Sequence, residues 1–526
     1  MGKYFVITFL ALFLLSCGFQ SSETNTVATS NQYFSSSYRP PVFLMKDRIQ
    51  RVKDIAPQIE KLMNEHALEK KIPGIAYGVV VDDSLVLASA SGLINLDANI
   101  IASKNSSFRI ASMTKSFTAM AILKLRDEGR LSLEDPVAKY IPEMAKVTYL
   151  TNDSPEIDIE NLLTMTSGLP EDNPWGDRQL DKTDQALITL IKKGLSLSNV
   201  ASLKFEYSNT GYAILGNIVS RITGRPYQEY ITEVILKPLG MNNTYWEFSK
   251  IPEEQLARGY DWENNQWKEE PMLHDGSFGA MGGLITTLED FGKYLSYHLS
   301  AWPPRNDKEK GPIKRSSLRE MHTSQFPELI TGETAFNGKL CSMQIGYGYG
   351  FDVSKDCYGD VRVEHGGALP GFAGKYVFYP DYGLGIIAFG NLTYTSPLPQ
   401  LKMEKLLFSV ARLSNRKLQV SDIFLKIQKQ IVELIQDWKP KLEDAILAEN
   451  FYLDESREKR RKKIDDILGE AGKILKVDDL KPRNQLRGNF RIYCEYRNIN
   501  VFFTLTPEKN PKIQRLVIWL ETNKPN

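Results

Sequence analysis

Ser112 and Lys115 lie three residues apart at the start of a largely apolar stretch, residues 116–125. Residues three apart on a helix are neighbours, so the Lys115 amine can reach the Ser112 hydroxyl, and a helix N-terminus favours developing negative charge. A serine becomes a strong nucleophile when a nearby base removes its proton, and a lysine does this only when neutral. Burial in the apolar stretch would lower the lysine pKa accordingly. The spacing therefore predicts a serine nucleophile with a lysine base.

The same spacing occurs twice more in the chain, at Ser414 and Lys417 and at Ser456 and Lys459. We predict that both of these pairs are solvated helix positions, because neither stands beside other chemistry-bearing residues. Spacing alone therefore does not identify a nucleophile. Ser112 differs because two further clusters follow it along the chain.

The first of these clusters is Tyr207-Ser208-Asn209, which precedes an apolar helical run, residues 211–219. We expect Tyr207 to be a second proton carrier, which protonates the leaving group or activates the deacylating water together with Lys115. Asn209 offers both a donor and an acceptor to an amide or ester substrate. The alternative is that these residues only begin a helix, since asparagine is a common cap.

The second cluster is His365-Gly366-Gly367, which we expect to open onto the strand-like residues 374–380. Each cluster is weak evidence alone, because residues 496–498 and 274–276 match the same short patterns. Three clusters in this order, each beside the expected kind of element, favour a catalytic site.

With these motifs in order, the sequence resembles the serine β-lactamase and penicillin-binding-protein superfamily. Within it, the resemblance is to the class C β-lactamase-like branch, with its DD-peptidase, D-aminopeptidase and esterase relatives. It covers roughly residues 50–415, and its motifs are specific for the superfamily but not for a substrate. The supporting stretches are residues 72–75, 108–111, 162–169, 238–241 and 282–284.

The resemblance also implies how the substrate carbonyl is bound. The backbone N–H groups of Ser112 and Ala368 would stabilise its oxyanion. We expect Gly366 and Gly367 to leave room where the strand approaches the substrate, because a side chain there would obstruct it.

His365 stands where many relatives carry lysine, and we expect it to hydrogen-bond the Lys115 and Tyr207 network or a substrate carboxylate. The usual Lys-Thr-Gly of relatives is His-Gly-Gly here. The threonine hydroxyl that this change removes contacts, in relatives, the carboxylate of β-lactams and of D-Ala-D-Ala. The departure counts against an efficient β-lactamase.

The function implied by the resemblance is hydrolysis through an acyl-enzyme on Ser112, with a D-amino-acid peptide, as in DD-peptidases, or a small ester or amide as substrate. A class C-type β-lactamase is an alternative. An alternative of another class is a non-catalytic penicillin-binding sensor or cell-wall scaffold that is acylated but never turns over. The intact set of Ser112, Lys115 and Tyr207 argues against it. We expect no cofactor and no metal, since the five histidines are scattered.

The N-terminus predicts a bacterial lipoprotein signal peptide over residues 1–16, with Lys3 followed by an apolar run and then Cys17. Cys17 is the expected lipidation site, and several acyl chains there would hold the protein on a membrane. Residues 17–45 are expected to be a flexible tether. This places the protein in the bacterial cell envelope, as a periplasmic or outer-membrane-anchored lipoprotein. The alternative is an ordinary secretory signal with Cys17 incidental.

The charge of the 526-residue chain is +1, and removing the signal takes away one lysine and no acid. A chain without excess positive charge is not expected to bind nucleic acid through electrostatic attraction. The expected partners are therefore a small-molecule or peptide substrate, the membrane and the cell wall. In an oxidising envelope Cys341 and Cys357, which flank a strand-like segment, are candidates for a disulfide.

The predicted fold class is α/β (α+β). For residues 46–418 we expect an antiparallel sheet flanked by helices, in which strands near 73–91 pair with strands near 374–391. Residues 120–340 would form a mainly helical half, with the cleft between the halves.

A small C-terminal α+β domain, residues 421–526, is predicted to follow, of a cystatin-like or NTF2-like type. Its helices are expected at 423–438, 441–449 and 455–468, and its strands at 490–496, 500–506 and 513–520. The domain either positions a polymer or partner or only stabilises the enzyme.

Overall fold

The computed structural model describes residues 38–335 and 338–521. The predicted signal peptide, Cys17 and the first part of the predicted tether lie outside the described residues. Within the part that is described, no helix is long and apolar enough to cross a membrane.

Strands occur both before and after the long helical part of the chain. Within the described residues they are β1 (Gly74–Val81), β2 (Ser84–Asn95), β3 (Ile100–Ile101), β4 (Phe108–Arg109), β5 (Gly259–Glu263), β6 (Gln266–Glu270), β7 (Ile285–Thr286), β8 (Gln325–Thr334), β9 (Leu340–Tyr347), β10 (Asp352–Asp356), β11 (Val361–Leu369), β12 (Phe372–Tyr379), β13 (Leu384–Gly390), β14 (Ile474–Val477), β15 (Lys481–Asn484), β16 (Arg487–Cys494), β17 (Ile499–Leu505) and β18 (Ile513–Leu520).

Helices fill most of the sequence between these strands. The α-helices of the described ranges are α1 (Arg48–Asp54), α2 (Ala56–Glu69), α3 (Lys115–Asp127), α4 (Ile159–Leu163), α5 (Asp184–Lys193), α6 (Asn209–Thr223), α7 (Tyr227–Ile231), α8 (Gly279–Gly282), α9 (Leu288–Leu299), α10 (Arg315–Met321), α11 (Gln400–Glu404), α12 (Asp422–Gln436), α13 (Pro440–Ile446) and α14 (Arg457–Ala471).

The larger, N-terminal domain is built on a nine-stranded sheet in the order β3-β2-β1-β13-β12-β11-β10-β9-β8. Neighbouring strands are antiparallel, and β1 pairs with both β2 and β13, so the first strands of the domain lie beside its last. This confirms the predicted fold class. The pairing also brings β11, which carries His365, into the same sheet.

The central strand β1 is buried on both faces of the sheet: successive side chains point to opposite faces, and all of its residues are buried. On β1, Ile75, Tyr77 and Val79 pack with α1, α2 and α11 in one core. Ala76 and Val80 face the other core, which contains α3, α6 and α9. The second core is the larger, and it positions the helices that carry the candidate site.

The helical half is smaller than the sequence predicted. Residues 325–334, expected in that half, form β8, which pairs with β9 and extends the sheet. Most side chains of β8 are exposed, so its sequence lacks the alternation that marks a half-buried strand. Cys341 on β9 and Cys357 after β10 are free thiols in the structure, and the Cys357 N–H donates to Cys341 Sγ at 3.2 Å.

The C-terminal domain has its own core, in which α12, α13 and α14 pack on a five-stranded sheet. The helices and three strands lie close to their predicted positions. The short strands β14 and β15 were not predicted, because four residues give no readable period. An exposed ion pair of 3.4 Å between Arg39 and Asp422 joins this domain to the segment before α1.

Candidate active site

Ser112 lies in a 3₁₀ turn, Ala111–Thr114, that leads directly into α3, whose first residue is Lys115. Lys115 Nζ is 2.9 Å from Ser112 Oγ. The same amine donates to Asn209 Oδ1 at 2.7 Å and to the Met281 carbonyl at 3.0 Å. The lysine is fully buried, whereas 8% of Ser112 is exposed. The structure therefore brings the two residues together where only the serine meets the solvent.

Burial lowers the pKa of Lys115 to about 7, and the negative charges of Asp177 and Asp172 partly oppose this shift. Near neutral pH a large fraction of Lys115 is therefore a free amine. A free amine 2.9 Å from the serine hydroxyl is positioned to accept its proton.

Tyr207 is the third member of this cluster, with its ring 4.8 Å from Lys115 Nζ. Loss of solvation raises the pKa of the Tyr207 phenol well above its usual value, although a hydrogen bond with Ser112 acts in the opposite direction. The phenol is consequently protonated near neutral pH and able to donate a proton.

Asn209 is fully buried, and both ends of its amide are engaged, by Lys115 and by Asn173 Oδ1 at 2.6 Å. This differs from the expectation that Asn209 contacts substrate, because its amide holds the lysine instead. Asp172 fixes its place at the start of α6 by accepting the Asn209 N–H at 2.7 Å and the Thr210 N–H at 2.8 Å.

His365 lies inside β11 and not ahead of a strand, and it is directed toward Tyr347. Its Nδ1 bonds the Gly366 carbonyl, which requires a proton on Nδ1, so Nε2 accepts the Tyr347 hydroxyl at 3.0 Å. Burial, then the charge of Lys115, lowers the pKa of His365 to about 3, so the ring is neutral. Its ring centroid is 6.3 Å from that of Tyr207, and neither of its two hydrogen bonds is made with Lys115.

Gly366 and Gly367 differ in the space around them. A Cβ on Gly367 would lie 2.1 Å from the Ile110 carbonyl oxygen, so this glycine lets β11 approach the turn that holds Ser112. A Cβ on Gly366 would meet nothing nearer than 3.9 Å. The structure thus gives Gly367 a packing role, and the expectation that both glycines make room for substrate stays a prediction. Ala111 has a φ of +50° directly before Ser112, a strained conformation of the kind found at functional sites.

Ser112, Tyr207 and Ala368 line one cleft of about 540 Å³ together with His365, Gly366 and Gly367. Asp177, Asp352, Lys375 and Tyr394 also line it. Sequence reasoning missed these residues, because none stands in a motif. Across residues 38–335 and 338–521, no group of three or more His, Cys, Asp or Glu side chains is arranged to hold a metal.

The sequence of the chain is similar to the sequences of known proteins. The family model described as "Beta-lactamase" matches residues 55–407. The chain is 32% identical to Protein flp of Staphylococcus aureus strain N315 over 345 residues, 64% of each chain. It is 28% identical to Beta-lactamase-like protein 2 of Dictyostelium discoideum over 353 residues, 66% of this chain and 60% of that one. The chain thus spans less than two thirds of the length of these relatives.

Two solved structures share the fold. The octameric penicillin-binding protein homologue from Pyrococcus abyssi has a TM-score of 0.57 at 22% identity, covering 88% of this chain and 95% of that chain. A D-stereospecific amidohydrolase from Streptomyces has a TM-score of 0.51 at 21% identity, covering 66% and 96%. The family model covers most of the catalytic domain and the motifs above lie within its match, so the chain belongs to the beta-lactamase family.

Proposed function

We propose that this protein is a serine hydrolase that cleaves a D-amino-acid peptide, or a small ester or amide, through an acyl-enzyme on Ser112. The observation that carries the proposal is the fully buried Lys115 amine, 2.9 Å from Ser112 Oγ, with a pKa lowered to about 7. Membership of the beta-lactamase family supports a hydrolase.

Acylation uses the groups already in place. Neutral Lys115 takes the Ser112 proton as Oγ attacks the carbonyl carbon. The N–H groups of Ser112 and Ala368 stabilise the oxyanion, and collapse of the tetrahedral intermediate breaks the bond to the leaving group. Tyr207 gives the leaving group its proton and regains one from Lys115, which leaves an ester on Ser112.

Deacylation runs through the same groups in reverse. Tyr207 and Lys115 together take a proton from a water molecule, and the resulting hydroxide attacks the ester carbonyl. The second tetrahedral intermediate expels Ser112 Oγ, which recovers its proton, and the free acid leaves. The cleft of about 540 Å³ opens beside Ser112 and admits the water this step needs.

Two observations support the substrate class: the descriptions of two proteins with the same fold, and one residue type that differs from relatives in the His-Gly-Gly segment. One protein of the same fold is described as D-stereospecific, and another as a penicillin-binding protein homologue. The His-Gly-Gly segment lacks the threonine hydroxyl that relatives direct at the β-lactam carboxylate, so β-lactamase activity is expected to be secondary.

The test is turnover by the purified protein of 4-nitrophenyl esters, D-alanyl peptides and penicillins, with Ser112→Ala as the control. Turnover of an ester or D-peptide that Ser112→Ala abolishes is expected. A stable Ser112 adduct without turnover would instead support a penicillin-binding sensor, and preferred turnover of penicillins would support a β-lactamase.

We also propose that the protein is a lipoprotein of the bacterial cell envelope, anchored in the membrane through Cys17 and acting near the cell wall. The support is the sequence around Cys17 alone. Cys17→Ala should move the protein from the membrane fraction to the soluble fraction and remove incorporation of a fatty-acid probe. Unchanged fractionation would contradict the anchor.

A further inference from the structure

The charged groups that line the cleft favour a cation. Two are carboxyl groups, Asp177 and Asp352, and among the described lining residues Lys375 is the one permanent cation. Lys375 is already paired, because its amine lies 3.0 Å from Glu364 Oε1. His365 is neutral. Within the described residues, then, no lining cation is left to receive a substrate carboxylate.

Asp177 is the more deeply placed of the two carboxyl groups, with 3% of the residue exposed. Its Oδ2 accepts the Tyr394 hydroxyl at 3.1 Å, and its Oδ1 has no hydrogen-bond partner in the described parts of the chain. Lys115 does not supply that partner, since its amine contacts Ser112, Asn209 and Met281 instead. Oδ1 of this buried residue reaches the cleft without a partner, and such an oxygen is a strong acceptor for a ligand. Burial raises the pKa of Asp177, so a bound cation would also stabilise its ionised form.

The geometry selects one kind of cation. A guanidinium binds best to both oxygens of a carboxylate, but Tyr394 already occupies Asp177 Oδ2. A primary ammonium is a compact donor of three hydrogens. It can donate to Asp177 Oδ1 and also to the Tyr394 hydroxyl oxygen, whose own hydrogen points at Asp177.

We propose that Asp177, positioned by Tyr394, binds a protonated amine next to the scissile carbonyl, so that the substrates are aminoacyl amides or esters with a free N-terminus. This rests on the proposed function, because it names the substrate class for the acyl-enzyme at Ser112. The Asp177–Tyr394 pair joins the loop before α5 to the loop after β13, and thus sets one wall of the cleft.

The experiment compares two substrates that differ by one charge, D-alanine 4-nitroanilide and N-acetyl-D-alanine 4-nitroanilide, at pH 7, where the free amine is largely protonated. The wild type is expected to prefer the free amine. Asp177→Asn should lower the ratio of the two kcat/KM values by roughly 10- to 100-fold, as loss of a hydrogen bond to a charged group does. Asp181→Asn removes an exposed acid from the same loop and should leave the ratio unchanged.

Two results would overturn the amine site. One is a wild type that does not prefer the free amine. The other is Asp177→Asn lowering both kcat/KM values equally and shifting their pH profiles, because Asp177 would then act through Lys115. The neutral ester 4-nitrophenyl acetate reports on the proposed function separately. If its turnover depends on Ser112 while the free amine is not preferred, only the amine site fails; if its turnover does not depend on Ser112, both proposals fail.

Discussion

The catalytic domain and the C-terminal domain each contain a serine followed three residues later by a lysine in the first turn of a helix, yet the two pairs have opposite surroundings. Lys115 is fully buried and contacts Ser112 Oγ at 2.9 Å. Ser456 and Lys459 are exposed, and Ser456 Oγ accepts the Lys459 backbone N–H at 3.3 Å as the cap of α14.

On the proposed mechanism, burial, and not spacing, is what makes the Ser112 and Lys115 pair reactive. At Ser456 the hydroxyl completes the helix N-terminus, and the lysine side chain extends into solvent. At Ser112 the large core around α3 and α6 removes water from the lysine and lowers its pKa to about 7. The same spacing therefore gives a helix cap in one domain and, on the proposed mechanism, a nucleophile with its base in the other.

The largest expected effect is the loss of catalysis in one domain and not in the other. Ser112→Ala or Lys115→Ala should lower kcat/KM for a 4-nitrophenyl ester by about 10³-fold or more, because nucleophile and base act as a unit. Ser456→Ala and Lys459→Ala should leave kcat/KM unchanged. Steady-state assays of the four variants check this, and comparable losses in both pairs would break the comparison.

The next effect concerns Tyr207, which has no counterpart beside Ser456. Tyr207→Phe keeps the ring against Lys115 but removes the proton donor, so kcat should fall by about 10²-fold or more. The ester 4-nitrophenyl acetate has a leaving group that needs no proton. Its rate of Ser112 acylation should therefore fall less than the rate for an anilide. Equal losses on both substrates would contradict the role of Tyr207 in leaving-group protonation.

A third prediction uses the pKa of Lys115, which burial lowers to about 7. Because the neutral amine is the base, kcat/KM should rise with pH, level off above about 7 and fall about tenfold per pH unit below it. A pH–rate profile on a neutral ester measures this. A limb near the usual lysine value of 10.5 would show that Lys115 is not desolvated in solution.

Lowering the pH should destabilise the catalytic domain more than the C-terminal domain. His322 Nε2 and His298 Nδ1 lie 2.8 Å apart in the catalytic domain, and all five histidines precede the C-terminal domain. Burial lowers the pKa of His298 to about 3, and burial together with His298 lowers that of His322. Both rings are therefore neutral when folded, and their contribution to stability is complete above about pH 6.5.

As the pH falls below 6.5, the unfolded chain binds protons at His298, His322 and His365 that the folded chain excludes, and each ring costs about 1.4 kcal/mol per pH unit. The carboxyl groups of Asp275 and Asp352, whose pKa is raised to about 7, act in the opposite direction because they bind protons in the folded chain, so the net loss is about that of one ring. Calorimetry from pH 7 to pH 5 should show the melting temperature of the catalytic domain falling more than that of the C-terminal domain. Parallel shifts of the two transitions would contradict this account.

The smallest expected effect is on the C-terminal domain alone. Ser456→Ala removes the cap of α14 and should destabilise this domain by about 1 kcal/mol. Ser414 was predicted to be a helix position, but the structure places it outside any helix, so the matched change Ser414→Ala should cost less. Urea unfolding followed by fluorescence measures both, and an unaffected domain would show that the cap contributes nothing.

The sequence predicted the elements whose signals are local. The apolar runs after Ser112 and Tyr207 form α3 and α6. The pairing of the first and last strands was also predicted, although it joins residues far apart in the chain. Asp172 was not predicted, because its role depends on contact with Asn209, 37 residues away. Asp177 and Tyr394 meet only when the two halves of the domain close on each other, and such contacts leave no periodic pattern.

The most direct test of the central claim is the site and pH dependence of acylation. The purified protein would be treated with an activated ester or a penicillin from pH 5 to 9, quenched, digested and mapped by mass spectrometry. We predict an acyl group on Ser112 and none on Ser456, formed at a rate that rises with pH and levels near 7. Acylation elsewhere, or a rate that follows an ordinary lysine, would contradict the account.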